Sequence, residues 1–140
     1  MADVKTLRVT VITPARAAYS ATARSVVVPA FDGEMGVLPG HAAMLALLGT
    51  GEMRVGISEE ETQRLAIRGG FLQVRDNQVS VLTPEALTPG ELAGDALEEE
   101  LRKLEAEEPV TLADREARDM RRAWIKARQR VLGDSAGEHG

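Results

Sequence analysis

Gln63–Glu108, QRLAIRGGFLQVRDNQVSVLTPEALTPGELAGDALEEELRKLEAEE, is the stretch in which the chain changes its period. Up to Thr83 the apolar residues come in short runs, QRLAIRGGFLQVR and QVSVLTP, split by Asp76-Asn77. Asp and Asn tolerate the backbone angles of a tight turn, so the pair reads as a hairpin. Beyond Pro89 the apolar residues Ala93, Leu97, Leu101 and Leu104 recur at three and four residues instead, one narrow stripe of a helix over 91–108. Gly69-Gly70 lies between strand-like segments with no helix after it, so it reads as a bulge or close backbone approach and not a phosphate loop.

The strand period extends back to Leu7. LRVTVIT puts Leu7, Val9 and Val11 on one face and Arg8 and Thr10 on the other. RSVVVPA is closed by Pro29, and EMRVGI continues the series. Many short strands with no helix-length spacer exclude a parallel βαβ fold and point to an antiparallel sandwich or barrel.

The helical period extends forward. Glu107-Glu108-Pro109 ends the first helix, because proline cannot continue one. Thr111 and Asp114 have the spacing of a capping box. Ala113, Ala117, Met120, Trp124, Ala127 and Val131 then form a coiled-coil-like seam that Gly133 stops. Residues 91–108 carry a net charge of −6 and residues 111–131 a net of +4, so the two helices should pair as an antiparallel hairpin. Each exposed ion pair contributes only about 0–1 kcal/mol, so such a hairpin should detach from its neighbours at modest cost. The predicted organisation is a β-sandwich over 1–88, a two-helix hairpin over 89–133 and a flexible tail over 134–140.

Composition narrows the function. The 140 residues carry a net charge of −5, which argues against nucleic acid as a partner. With no cysteine there is no thiolate metal site and no cysteine nucleophile. No apolar run reaches the roughly 18 residues of a membrane span, and MADVKTLRVTV lacks a secretory h-region, so the expectation is an intracellular protein.

The candidates for chemistry are weak. His41 follows Pro39-Gly40 and has no second histidine except His139 in the tail, so it reads as a turn residue or a partner contact. Asp32 and Glu34 flank Gly33, but aromatics make up only 3% of the chain, too few for a sugar cleft, and both read as exposed turn residues. No serine has a nucleophile-elbow context. The reading is a non-enzyme with no catalytic, cofactor or metal site. Arg115, Arg118, Arg121, Arg122, Lys126, Arg128 and Arg130 exceed what pairing with the first helix requires, and form either a solvated face or a docking surface.

VTVITPARAAYS, GEMGVLPGHAAMLALLGTGEMRV and LAIRGGFLQVRDNQVSVLTPEA together resemble the epsilon subunit of rotary F-type ATP synthases. The most specific element is G-E-x-G-V-L-P-G-H, Gly33 to His41, followed by G-G-F-L-x-V, Gly69 to Val74. The resemblance implies a sandwich of about ten strands followed by a helical hairpin, in a rotor subunit held against gamma and the c-ring on the cytoplasmic face of a bacterial plasma membrane. It implies that Glu34 lies near the polar loops of the c-ring and His41 against gamma. It also implies that the second helix can inhibit hydrolysis by inserting among alpha, beta and gamma, for which Arg121, Arg122 and Arg128 are the candidate contacts. Some members bind ATP through an I/L-D-x-x-R-A motif. Here Asp95 is followed by glutamates where the arginine and alanine would stand, so no ATP site is carried over. The competing reading is a free-standing β-sandwich binding module that dimerises through its coiled-coil tail.

Overall fold

The computed structural model describes residues 5–92 and 96–138. Ala93, Asp95 and His139, all singled out in the sequence, lie outside the described residues. Eight strands precede three helices: β1 (Leu7–Ile12), β2 (Ala17–Ala23), β3 (Ser25–Ala30), β4 (Gly33–Val37), β5 (Met44–Gly56), β6 (Thr62–Arg75), β7 (Gln78–Leu82), β8 (Ala86–Leu87), α1 (Pro89–Leu92), α2 (Leu97–Glu105) and α3 (Leu112–Glu138). The strands hydrogen-bond in the order β2-β1-β7-β6-β5-β3-β4, with β8 also beside β6. Val9 and Val11 of β1, Val79 and Val81 of β7 and Val26 and Val28 of β3 share one buried cluster, so the two ends of the sheet close face to face as a sandwich.

Two expectations about the strands are corrected. Among the described residues there are eight strands and not about ten. β5 and β6 run for 13 and 14 residues, and opposite halves of β6 pair with β7 and β8, so each long strand does the work of two shorter ones. The sheet is also not wholly antiparallel, since β1 pairs parallel with β7. No hairpin joins those two strands, and the long chain between them supplies the crossover that parallel pairing needs.

Gly69 and Gly70 adopt φ of 70° and 108°, in the middle of β6. A Cβ on Gly70 would stand 2.0 Å from the Leu82 carbonyl oxygen, which is the close backbone approach expected from the sequence. Asp76 and Asn77 take φ of 51° and 62°, the positive pair of a tight hairpin turn.

The helices depart further from expectation. The stretch over 91–108 is not one described helix: α1 ends at Leu92, and α2 starts at Leu97 and stops at Glu105, before the acidic pair and Pro109. Leu97 and Leu104 are buried, Leu101 partly so. The capping box forms as expected, with Asp114 N donating to Thr111 Oγ1 at 3.0 Å and Thr111 N to Asp114 Oδ2 at 3.2 Å. Gly133 does not stop α3, which continues to Glu138, so the expected break at the start of a flexible tail is absent. A glycine inside a helix costs only about 1 kcal/mol, which a docked helix absorbs.

The seam is half right. Trp124, Ala127 and Val131 are buried, whereas Ala113, Ala117 and Met120 are exposed. α2 is nine residues long and α3 is 27, so the first turns of α3 have no partner helix. The buried half packs on the sandwich as well as on α2. Trp124, Ala127 and Val131 cluster with Leu92 of α1 and Ala66 of β6. That explains why Leu65, Ala66 and Ile67 are all buried in succession: one face of β6 meets the sandwich core and the other meets α3. Among the described residues no helix is long and apolar enough to cross a membrane.

Candidate functional site

The singled-out residues fall in three places. Glu34 is the second residue of β4, exposed, just past the turn that holds Asp32. Arg54 of β5 clamps it with both guanidinium ends, Nη1 donating to Oε2 at 2.7 Å and Nη2 to Oε1 at 3.3 Å. That hydrogen bond holds the Glu34 carboxyl below its ordinary value against the upward push of burial, and the positive fields of Arg54 and Arg130 add to it.

His41 lies beyond the opposite end of β4, so the two residues are not brought together. Its backbone N–H donates to the Leu38 carbonyl at 3.1 Å, and its ring Nδ1 is 2.8 Å from the Ala42 carbonyl oxygen. Gly40 precedes it at φ 86° and donates its N–H to Asn77 Oδ1 at 2.7 Å. His41 is thus a half-exposed turn residue, and it is Gly40 before it that links the β4–β5 and β6–β7 connections.

Three arginines of α3 face α2 and the residues just after it. Arg121 Nη2 donates to Glu107 Oε1 at 2.7 Å, Arg122 Nε to Glu105 Oε1 at 2.6 Å and Arg128 Nη2 to Glu100 Oε1 at 2.7 Å. The hydrogen bond from Arg122 holds Glu105 below its ordinary value. Arg128, mostly buried, also stacks its guanidinium 5.3 Å from the Trp124 ring, with Arg68 of β6 at 5.9 Å from the same ring. All three arginines named in the sequence are engaged inside the hairpin.

Two features go beyond the site residues named from the sequence. The first is an apolar row. Leu47 pairs with Phe71, Phe71 with Leu82, and Leu82 with Ile12, directly opposite one another across β5, β6, β7 and β1. Each points away from the core residue beside it, and all four are exposed, Leu47 at 59% and Phe71 at 48%. Leu45 extends the row on β5, and a shallow groove of about 430 Å³ runs along it between Ile12, Pro14, Phe71 and Leu82. Single exposed leucines need no explanation, but a contiguous row on a flat sheet marks an interaction surface. The parity of AMLALL and GGFLQV contained this signal: consecutive leucines must place one side chain outward.

The second is a charge cluster under α3. Arg54 and Arg64 stand directly opposite each other on β5 and β6, an arrangement that repels unless an acid intervenes. Glu52 is that acid. Its side chain is wholly buried, and its Oε1 lies 3.2 Å from Arg64 Nη1, 3.5 Å from Arg54 Nη1 and 3.5 Å from Arg130 Nε of α3. Asp134 of α3 adds contacts of 3.6 Å to both Arg64 and Arg130. Burial, reinforced by Asp134, pushes the Glu52 carboxyl up despite the arginines.

Among the described residues no three His, Cys, Asp or Glu side chains are grouped to hold a metal ion. A cleft of about 870 Å³ between β2, β6, α1 and α3 is lined by Tyr19, Gln63, Thr88 and Ser135 among others. Burial, then the field of Glu61, pushes the Tyr19 hydroxyl to about 12, and that hydroxyl bonds Gln63. A neutral phenol held this way is a structural group and not a general base.

What the geometry defines is a β-sandwich with a solvent-facing apolar row and a docked helical hairpin. Residues 6–89 match the beta-sandwich domain of the ATP synthase delta/epsilon chain, and the chain belongs to that family. The ATP synthase epsilon chain of Pelotomaculum thermopropionicum is 42% identical over 82 residues, 59% of this chain and 60% of that one. The epsilon chain of Leptospira borgpetersenii is 36% identical over 105 residues, 74% of this chain and 80% of that one. The match thus spans about 60% of the Pelotomaculum relative and lies mainly in the sandwich. Among solved structures, a chain of the Euglena gracilis mitochondrial ATP synthase OSCP/F1/c-ring assembly superposes with a TM-score of 0.78 at 22% identity, covering 91% of this chain and 81% of that one. A chain of the Tetrahymena thermophila mitochondrial ATP synthase central stalk and c-ring gives 0.66 at 17%, covering 90% and 96%. At these identities the likeness is one of fold, and it includes the helices.

Proposed function

We propose that this chain is a non-catalytic rotor subunit in the central stalk of an F-type ATP synthase, coupling gamma to the c-ring during proton-driven synthesis. The observation that carries the reading is the apolar row Leu47–Phe71–Leu82–Ile12, a surface that water disfavours and a permanent partner would cover. Gamma is the partner assigned to it, with His41 at its margin, and Glu34 meets the c-ring beyond the other end of β4. Residues 1–88 form the binding unit, and the helices that follow form a regulatory arm. The subunit acts as a peripheral member of the membrane-bound complex, on the cytoplasmic face of a bacterial plasma membrane.

For the arm, inhibition by α3 requires an exchange of partners. Arg121, Arg122 and Arg128 would leave Glu107, Glu105 and Glu100 for acidic groups on alpha and beta. The docked hairpin is then the non-inhibiting form, and both helices compete for the same cations.

Mixing the full chain with purified gamma tests the reading. The native chain should co-elute with gamma, and Phe71→Asp should not, while its circular dichroism stays native because Phe71 faces solvent. Gamma binding that survives Phe71→Asp, or a stable homodimer through the helices in place of a gamma complex, would favour the dimerising module instead.

A further inference from the structure

The charge cluster connects two surfaces that the proposed function treats separately. One nitrogen, Arg54 Nη1, lies 2.7 Å from Glu34 Oε2 and 3.5 Å from Glu52 Oε1. One oxygen, Glu52 Oε1, faces Arg54, Arg64 and, from α3, Arg130. Glu52 Oε2 is buried without a hydrogen-bond partner, so the contacts of its carboxylate to these cations converge on Oε1. The acids Glu34, Glu52 and Asp134 balance Arg54, Arg64 and Arg130 one for one.

We infer that Glu34, Arg54, Glu52 and Arg130 form a charge relay through which a cationic group docking on Glu34 loosens α3 from the sandwich. The sign follows from the geometry. When Glu34 is occupied by an outside cation, Arg54 loses its clamp and turns to Glu52 Oε1. That oxygen then holds Arg130 less firmly, because its charge is shared with a nearer cation. The direct field of Glu34 on Arg130 is screened at the same time, so both effects act in one direction. By reciprocity, an α3 that has already left makes Glu34 a better site for the cation. An anionic partner at the same turn would do the reverse. Buried charge is costly to retain and is best justified when it selects between two arrangements, as it does here.

The inference rests on the proposed function only for where the cation comes from, and the test needs no partner. Amide hydrogen exchange of Trp124 to Val131 in the isolated full chain reports how often the docked half of α3 opens. Glu34→Gln should lower protection there by about 5-fold, the small end of ordinary coupling, and Glu34→Lys, which supplies the cation, by more. Val79 and Val81 in the sandwich core should keep their protection. In an Arg130→Ala background, where α3 no longer listens to Glu52, Glu34→Gln should have no further effect. Unchanged protection in Glu34→Gln, the same loss with and without Arg130, or an equal loss at Val79 and Val81 would each overturn the relay. Gamma binding is measured separately on the Phe71 face, so the relay and the rotor assignment fail by different observations.

Discussion

The sandwich and the hairpin are held by different forces. Seventeen buried apolar residues from β1, β2, β3, β4, β5, β6, β7 and β8 fill the sandwich. The hairpin has two small clusters among the described residues, three buried residues of α3 against Ala66 of β6 and Leu92 of α1, and three between α2 and α3. What it lacks in apolar contact it replaces with ion pairs to Glu100, Glu105 and Glu107 at its surface and to Glu52 beneath it. Burial of a large apolar side chain stabilises by about 1.5–3 kcal/mol, an exposed ion pair by about 0–1. The sandwich therefore sets whether the chain folds, and the hairpin sets a position that can change.

The largest effects should fall in the sandwich. Leu72→Ala leaves a cavity in the core and should cost about 2–5 kcal/mol in denaturant unfolding. Gly70→Ala forces a side chain against the Leu82 carbonyl and should cost at least about 2 kcal/mol. An equal loss from Leu104→Ala, between the helices, would break the contrast, because that change should leave the sandwich transition in place.

Next is Trp124→Ala, which removes the apolar anchor of α3 together with the rings over which Arg68 and Arg128 stack. Protection of α3 amides against exchange should collapse while strand amides keep theirs. Loss of both would mean that the two regions are one cooperative unit.

Smaller again is the triple change of Arg121, Arg122 and Arg128 to alanine. Alanine keeps the helix, so at Arg121 and Arg122 the loss is of exposed charge, and at Arg128 it includes the stack on Trp124. In an assembled complex it should raise ATP hydrolysis if the arm inhibits by docking these cations, and the difference should shrink with added salt. Equal rates at low and high salt would leave the arginines with their role inside the hairpin alone.

The smallest effect is on pH. Glu105 and Glu34 sit below their ordinary value near 4.5, so their stabilisation is present above it and is lost as pH falls through the lowered values. Acrylamide quenching of Trp124, the single tryptophan, should therefore rise as pH falls below about 4.5.

Legibility in the sequence followed the same division. The period-2 faces of LRVTVIT, the Asp76-Asn77 turn and the Gly69-Gly70 approach are local properties, and each was readable. The strand number was not, because β5 and β6 bend through both halves of the sandwich and a pattern does not record where a strand changes neighbours. The unpartnered first turns of α3 were hidden for a similar reason. Ala113 and Ala117 keep the seam spacing, but α2 is too short to reach them. At the candidate site the motif Gly33–His41 gave Glu34 and His41, while Glu52 looked like an outward polar residue of a strand. Its burial is made by α3, more than seventy residues further on, and only the facing pair Arg54 and Arg64 called for it.

The most direct measurement is the thermal unfolding and gamma affinity of residues 1–88 beside those of the full chain. The strands are complete at Leu87, and the apolar row lies wholly within them. The fragment should unfold cooperatively and bind gamma with an affinity close to that of the full chain. A fragment that is insoluble, or folded but unable to bind gamma, would contradict a self-sufficient sandwich carrying a detachable arm.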